Sequence, residues 1–100
     1  MILIYITNPT EKVAKKVARH LIDKKLIACA NIFPIQSIYP WEGEVREEKE
    51  FVLIAKTKKN YIESVEEEVK KIHPYEVPCI LKIDADANDE YASWMSDVLG

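Results

Sequence analysis

The sequence predicts an α+β domain in which one four-stranded sheet carries its helices, and three observations predict it. Apolar runs of strand length alternate with stretches whose apolar residues recur at helical spacing, in the order strand, helix, strand, strand, helix, strand, with a short helix at the end. The two middle strands are separated only by Glu42-Gly43, so they read as one long hairpin. The chain has 100 residues and no repeat, linker or low-complexity segment, which makes one domain spanning residues 1–100. This order matches the ferredoxin-like βαββαβ sandwich, here with a long central hairpin and an extra C-terminal helix.

Each element has a local cause. Met1 to Thr7 is a nearly continuous apolar run, as expected of a strand buried on both faces in the middle of a sheet. Asn8-Pro9-Thr10-Glu11 starts a helix, with Asn8 as cap, Pro9 at the first helical position and Glu11 completing a capping box. Val13, Ala14, Val17, Ala18, Leu21 and Ile22 form its buried stripe, while Lys12, Lys15, Lys16 and Arg19 face water, with His20 solvated on the same basic side. Residues 28–41 and 45–57 are the arms of the hairpin; Pro34 and Pro40 cannot donate ladder hydrogen bonds, so this arm carries bulges or lies at an edge. A second helix is expected over residues 58–72, capped by Asn60 with Glu63 and buried along Ile62, Val65, Val69 and Ile72. Cys79 to Asp84 is the fourth strand, and Asn88-Asp89-Glu90 opens a terminal helix with Tyr91, Trp94 or Met95, and Val98 on its apolar side.

Composition narrows the function classes. The net charge is −3, but residues 11–25 hold six bases and two acids, residues 42–50 five acids and two bases, and residues 82–97 one base and five acids. A nucleic-acid binder would present a basic domain with aromatics interleaved in a basic stripe, so neither nucleic acid nor membrane is an expected partner. The apolar opening lacks the basic start and cleavage site of a signal peptide, which points to the cytosol. Cys29 and Cys79 each lie in an apolar run and form no CxxC pair, so both are expected as free thiols. Few glycines, a single glutamine and many Lys, Glu and Ile suit a heat-tolerant chain.

The run His73-Pro74-Tyr75-Glu76-Val77-Pro78 packs an imidazole, a phenol and a carboxylate between two prolines. His73 falls at a helix C-terminus, where the dipole favours the imidazolium, and where a neutral ring could ligate a metal or move a proton. The plain alternative is a helix stop whose His and Tyr tie down loop backbone. Cys29 and Asn31, two apart on a strand, share a face and could meet a ligand; equally, Cys29 is a small buried hydrophobe and Asn31 satisfies backbone groups. Cys79 is expected in the core. Lys56, Tyr39, Trp41, Tyr75 and Glu76 would make an anion-and-aromatic pocket if assembly brought them together. Imidazole and thiolate suit copper or zinc, but two Cys and two His scattered over unrelated elements exclude a closed structural zinc site. No nucleophile elbow, phosphate-cradling glycine loop or dinucleotide fingerprint is present, so no enzymatic activity is expected.

Six separated motifs occur together: Tyr5-x-Thr7-x-Pro9, Leu26 through Ile32, Tyr39-x-Trp41-x-Gly43, Glu50-Phe51 through Lys56-Thr57, His73 through Pro78, and Tyr91-x-x-Trp94. Their joint order resembles the divalent-cation tolerance (CutA) family over almost the whole chain. The resemblance implies a cytoplasmic homotrimer of ferredoxin-like subunits, similar in assembly to the PII signalling proteins and associated with tolerance to copper and other divalent cations. Copper-binding relatives carry ligands at the positions of Ile6, Ile72 and His73, of which only His73 is retained here. The resemblance therefore implies weak Cu2+ binding through His73, with no obligatory cofactor, or alternatively a PII-like regulator that binds a small ligand between subunits.

Overall fold

The computed structural model describes all 100 residues. In chain order it contains β1 (Ile2–Asn8), α1 (Glu11–Asp23), β2 (Cys29–Trp41), β3 (Glu44–Thr57), α2 (Ile62–Ile72), β4 (Ile80–Asp84) and α3 (Asp89–Leu99). The sheet order is β2-β3-β1-β4, with every neighbouring pair antiparallel. That is the ferredoxin-like arrangement anticipated from the order of elements.

The core follows from the period-two alternation of β1. Ile2, Ile4 and Ile6 point to one face, and the register Ile4↔Ala55 and Ile6↔Leu53 sets two apolar residues of β3 beside them. Val17, Ala18 and Leu21 from α1, with Val65 and Val69 from α2, close over this face into one cluster of 11 buried residues. Each large aliphatic side chain there contributes about 1.5–3 kcal/mol by leaving water. β1 lies in the middle of the sheet, as expected, but its other face is only half-buried: no helix covers Leu3, Tyr5 and Thr7.

The hairpin pairs without interruption from Cys29↔Lys56 to Trp41↔Glu44. The prolines thus produce no bulge; β2 is an edge strand, where a missing N–H can face solvent. At the tip, Glu42 and Gly43 both take positive φ, 50° and 80°, the primed two-residue turn whose twist suits paired strands. The arm projects beyond the helices and gives the molecule extents of 46 × 26 × 21 Å.

Three local expectations need correction. Asn8 does not cap α1, because the ladder carries through it to Asn8↔Phe51; Thr10 caps instead, its Oγ1 accepting from the Val13 amide at 3.1 Å, and the helix begins at Glu11 rather than Pro9. Asn60 provides no cap to α2, since residues Lys59–Tyr61 form a 3-10 turn that runs straight into it. In α3 the buried residues are Met95 and Leu99, whereas Trp94 and Val98 stay exposed. This helix is tied down by the Tyr61 hydroxyl, which donates to the Leu99 carbonyl at 3.0 Å. No helix is long and apolar enough to cross a membrane.

Candidate functional site

A cleft of about 650 Å³ opens between the hairpin arm and the loop that joins α2 to β4. Tyr39, Trp41, Arg46 and Glu48 line it from the arm, and Tyr75, Glu76 and Val77 from the loop; Thr7, Glu50 and Cys79 form its floor. The register explains this grouping. Arg46, Glu48 and Glu50 share one face of β3, and their partners Tyr39, Ser37 and Ile35 on β2 face the same way. Pro74 and Pro78 stop the chain from continuing as helix or strand, so Tyr75 and Glu76 are presented from an irregular segment beside that face.

The floor is a connected polar network. Glu50 is only 6% exposed, and its Oε2 accepts the Tyr75 hydroxyl at 2.5 Å. Burial and this carboxylate push the Tyr75 phenol well above its ordinary range. The Tyr75 ring meets the His73 ring edge-on at 4.8 Å, and the Tyr75 amide donates to His73 Nδ1 at 3.2 Å. His73 Nε2 lies 2.9 Å from the Thr7 carbonyl and 3.2 Å from Asn8 Oδ1, so its single proton is shared between two acceptors. Those contacts assign the neutral tautomer with the proton on Nε2. Burial holds the His73 pKa below the ordinary histidine value, partly opposed by the Thr7 carbonyl and the Glu50 charge. The imidazolium expected from the helix dipole is therefore not what the fold favours, because desolvation outweighs the dipole.

Of the residues singled out by sequence, the structure brings Tyr39, Trp41, Tyr75 and Glu76 into the cleft, with His73 behind them. It does not bring Cys29, Asn31 or Lys56 there within one chain: Cys29 and Lys56 pair at the opposite end of the hairpin, and ten residues of strand, roughly 34 Å, separate Cys29 from Tyr39. Lys56 Nζ donates to the Tyr91 hydroxyl at 3.4 Å and lies 5.1 Å from that ring's centre. The base of the cleft is Arg46 instead, and carboxylates outnumber it. Cys79 lines the floor just before β4, half-buried, and burial with the Glu50 charge raises its thiol pKa. Both thiols are free. No group of three or more His, Cys, Asp or Glu is placed to hold a metal ion.

Glu48 and Arg46 escaped the sequence reading, and Glu50 entered it only within the Glu50-Phe51 motif, with no site role. A carboxylate at Glu50, on the same strand face as Val52, was the available signal. His20 is also not simply solvated: its Nε2 stands 2.9 Å from Glu68 Oε1, and Glu68, bonded first by Lys71 and then by His20, is held at about 2. A second hollow of about 880 Å³ runs along α1 past Lys12, Lys15, Lys16 and Arg19, with Ile72 its single apolar wall; it is a solvated basic groove.

The CutA1 divalent ion tolerance protein family matches residues 2–98. The divalent-cation tolerance protein CutA of Pyrococcus horikoshii is 42% identical over 96 residues, covering 95% of this chain and 94% of that one. The PII-like protein CutA of Nostoc, in apo form, superposes with a TM-score of 0.91 at 30% identity, covering 100% of this chain and 98% of that one. The CutA of Archaeoglobus fulgidus, described as a periplasmic divalent cation tolerance protein, superposes at 0.96 with 39% identity and full coverage of both chains. That relative overturns the cytosolic assignment, which rested on the missing signal features and on the family resemblance. A fold-wide match joined to identity near 40% leaves no other grouping: the chain belongs to the CutA1 divalent ion tolerance family.

Proposed function

We propose that this protein is a PII-like trimeric binding protein whose small-molecule ligand occupies the cleft between the hairpin arm and the His-Pro-Tyr loop. The observation that carries the proposal is the floor of that cleft, where Glu50 and His73 are buried and half-buried Tyr75 hydrogen-bonds to both. A network of this kind costs desolvation, and it holds a carboxylate in fixed geometry beside aromatic walls. The assembly is supported by the uncovered sheet face, where Phe33, Leu81 and Ile83 remain exposed next to half-buried Leu3 and Tyr5. An apolar face of that kind is stabilised by a second copy, and three copies close the edges around one axis.

Trp41 stands on the cleft wall while the other tryptophan, Trp94, is on α3. In Trp94→Phe the remaining fluorescence therefore reports the cleft. Saturable change with a small organic ligand, lost on Tyr75→Phe or Glu50→Gln, is the expected result. A response to metal ions alone, abolished by His73→Ala, would reject it in favour of weak divalent-cation binding at His73.

That second reading keeps one specific support, the retained imidazole of the family motif. Only Nδ1 could be freed, by breaking its bond from the Tyr75 amide, so affinity should be modest. Because burial lowers the His73 pKa, the loss of Cu2+ affinity on acidification should set in at a lower pH than for a free imidazole.

A further inference from the structure

The cleft's charge and spacing specify a ligand more narrowly than its volume does, and this step rests on the ligand-cleft reading above. Three carboxylates, Glu48, Glu50 and Glu76, face one guanidinium, Arg46, which leaves an excess of two negative charges. Arg46 is itself engaged by Glu48, Nη1 to Oε1 at 3.9 Å. Tyrosines already occupy one oxygen of each strand carboxylate: Tyr39 donates to Glu48 Oε2 at 2.8 Å and Tyr75 to Glu50 Oε2 at 2.5 Å. Glu50 Oε1 takes no hydrogen bond within the chain, and no base lies in ion-pair range of this buried residue. Its Oε1 is not among the atoms shut off from water, so it is free to meet a cation entering the cleft.

The form of that cation follows from the strand. Glu48 and Glu50 are two residues apart on one face of β3, about 7 Å along the strand. No group of three or more His, Cys, Asp or Glu is placed here to hold a metal ion. A flexible chain with an ammonium at each end can meet both: five single bonds of about 1.5 Å in a zigzag span roughly 6 Å. Trp41 and Tyr39 line the same cleft and give it aromatic surface, the kind that attracts ammonium groups and covers methylenes.

We infer that the cleft takes a linear diamine or short polyamine, its ammonium groups met by Glu50 and Glu48 and its methylenes lying against Trp41 and Tyr39. Within one chain this cleft carries an excess of acid, and Lys56, read from sequence as part of an anion pocket formed on assembly, lies at the other end of the hairpin. Calorimetric titration at low salt with 1,4-diaminobutane, 1-aminobutane, glutamate and Cu2+ tests the assignment. The expected result is saturable binding of the diamine, at least tenfold weaker binding of the monoamine, and at least a tenfold loss in Glu50→Gln. Should Glu50→Gln fail to fold, as judged by its circular dichroism, Glu48→Gln carries the same expectation from a more exposed site. Equal affinity for the monoamine, or undiminished diamine binding in the folded variant, overturns the inference. Binding of glutamate in place of the diamine, lost on Trp41→Ala, overturns it while leaving the ligand-cleft reading intact. Absence of heat with every organic probe overturns both.

Discussion

His73 and Asn8 are the residues whose surroundings say most about this fold. The Asn8 amide group donates to the Ile6 and Phe51 carbonyls at 3.2 and 3.0 Å and accepts from His73, so a fully buried polar side chain is satisfied on both ends. Replacing His73 with Ala orphans the Thr7 carbonyl, Asn8 Oδ1 and the Tyr75 amide, at about 1–3 kcal/mol for each group that water fails to reach. Urea unfolding should show that loss directly. The ring also makes stability depend on pH. The unfolded chain binds a proton at the ordinary histidine pKa while the folded one resists it, so stability is greatest above that value and falls as pH drops through it towards the lowered folded pKa. His73→Gln should show a smaller difference between urea midpoints at pH 7.5 and 5.5 than the wild type. An unchanged difference would mean that other groups carry the acid response. None of this was legible in the sequence: Asn before Pro reads as a helix cap, and only pairing with Phe51, 43 residues away, reveals a strand end.

The elements themselves were more legible, because each is written in local periodicity. β1, α1 and the two arms of the hairpin follow directly from apolar spacing, and the tip at Glu42-Gly43 from turn chemistry. What periodicity could not give was register, and with it the company each residue keeps: Lys56 and Arg46 lie on one face of β3 but ten residues apart, so one strand serves two separate neighbourhoods. Two backbone positions give sharp tests. A Cβ at Gly43 would meet nothing within 4 Å, so Gly43→Ala isolates the cost of its positive φ, about 1 kcal/mol of stability. Lys25 follows the α1 cap at φ 56° with its amide bonded to the Ile22 carbonyl at 2.9 Å; Lys25→Gly removes that strain and should raise the urea midpoint, by up to about 1 kcal/mol of unfolding free energy. A fall in the midpoint would show that the lysine side chain matters more than its backbone.

At the scale of the whole molecule, one face of the sheet is packed and the other is open. The trimer proposed above would cover the open face, and light scattering at micromolar concentration should then return the mass of three chains. Leu81 pairs with Tyr5 on that face and is 52% exposed in the single chain; Leu81→Asp should lower the mass towards one chain without unfolding it. A wild-type monomer would reject the assembly. The central position of β1 bears also on how the chain reaches this state. β1 takes its partners from residues 51–57 and 80–84, and the His73 ring closes on Thr7 across 66 positions. Such distant pairings slow folding, since loop closure comes before any reward from contact. During synthesis β1 must therefore wait, unpaired, until residues 51–57 have been made, which makes the nascent chain rather than the folded one the species most exposed to aggregation.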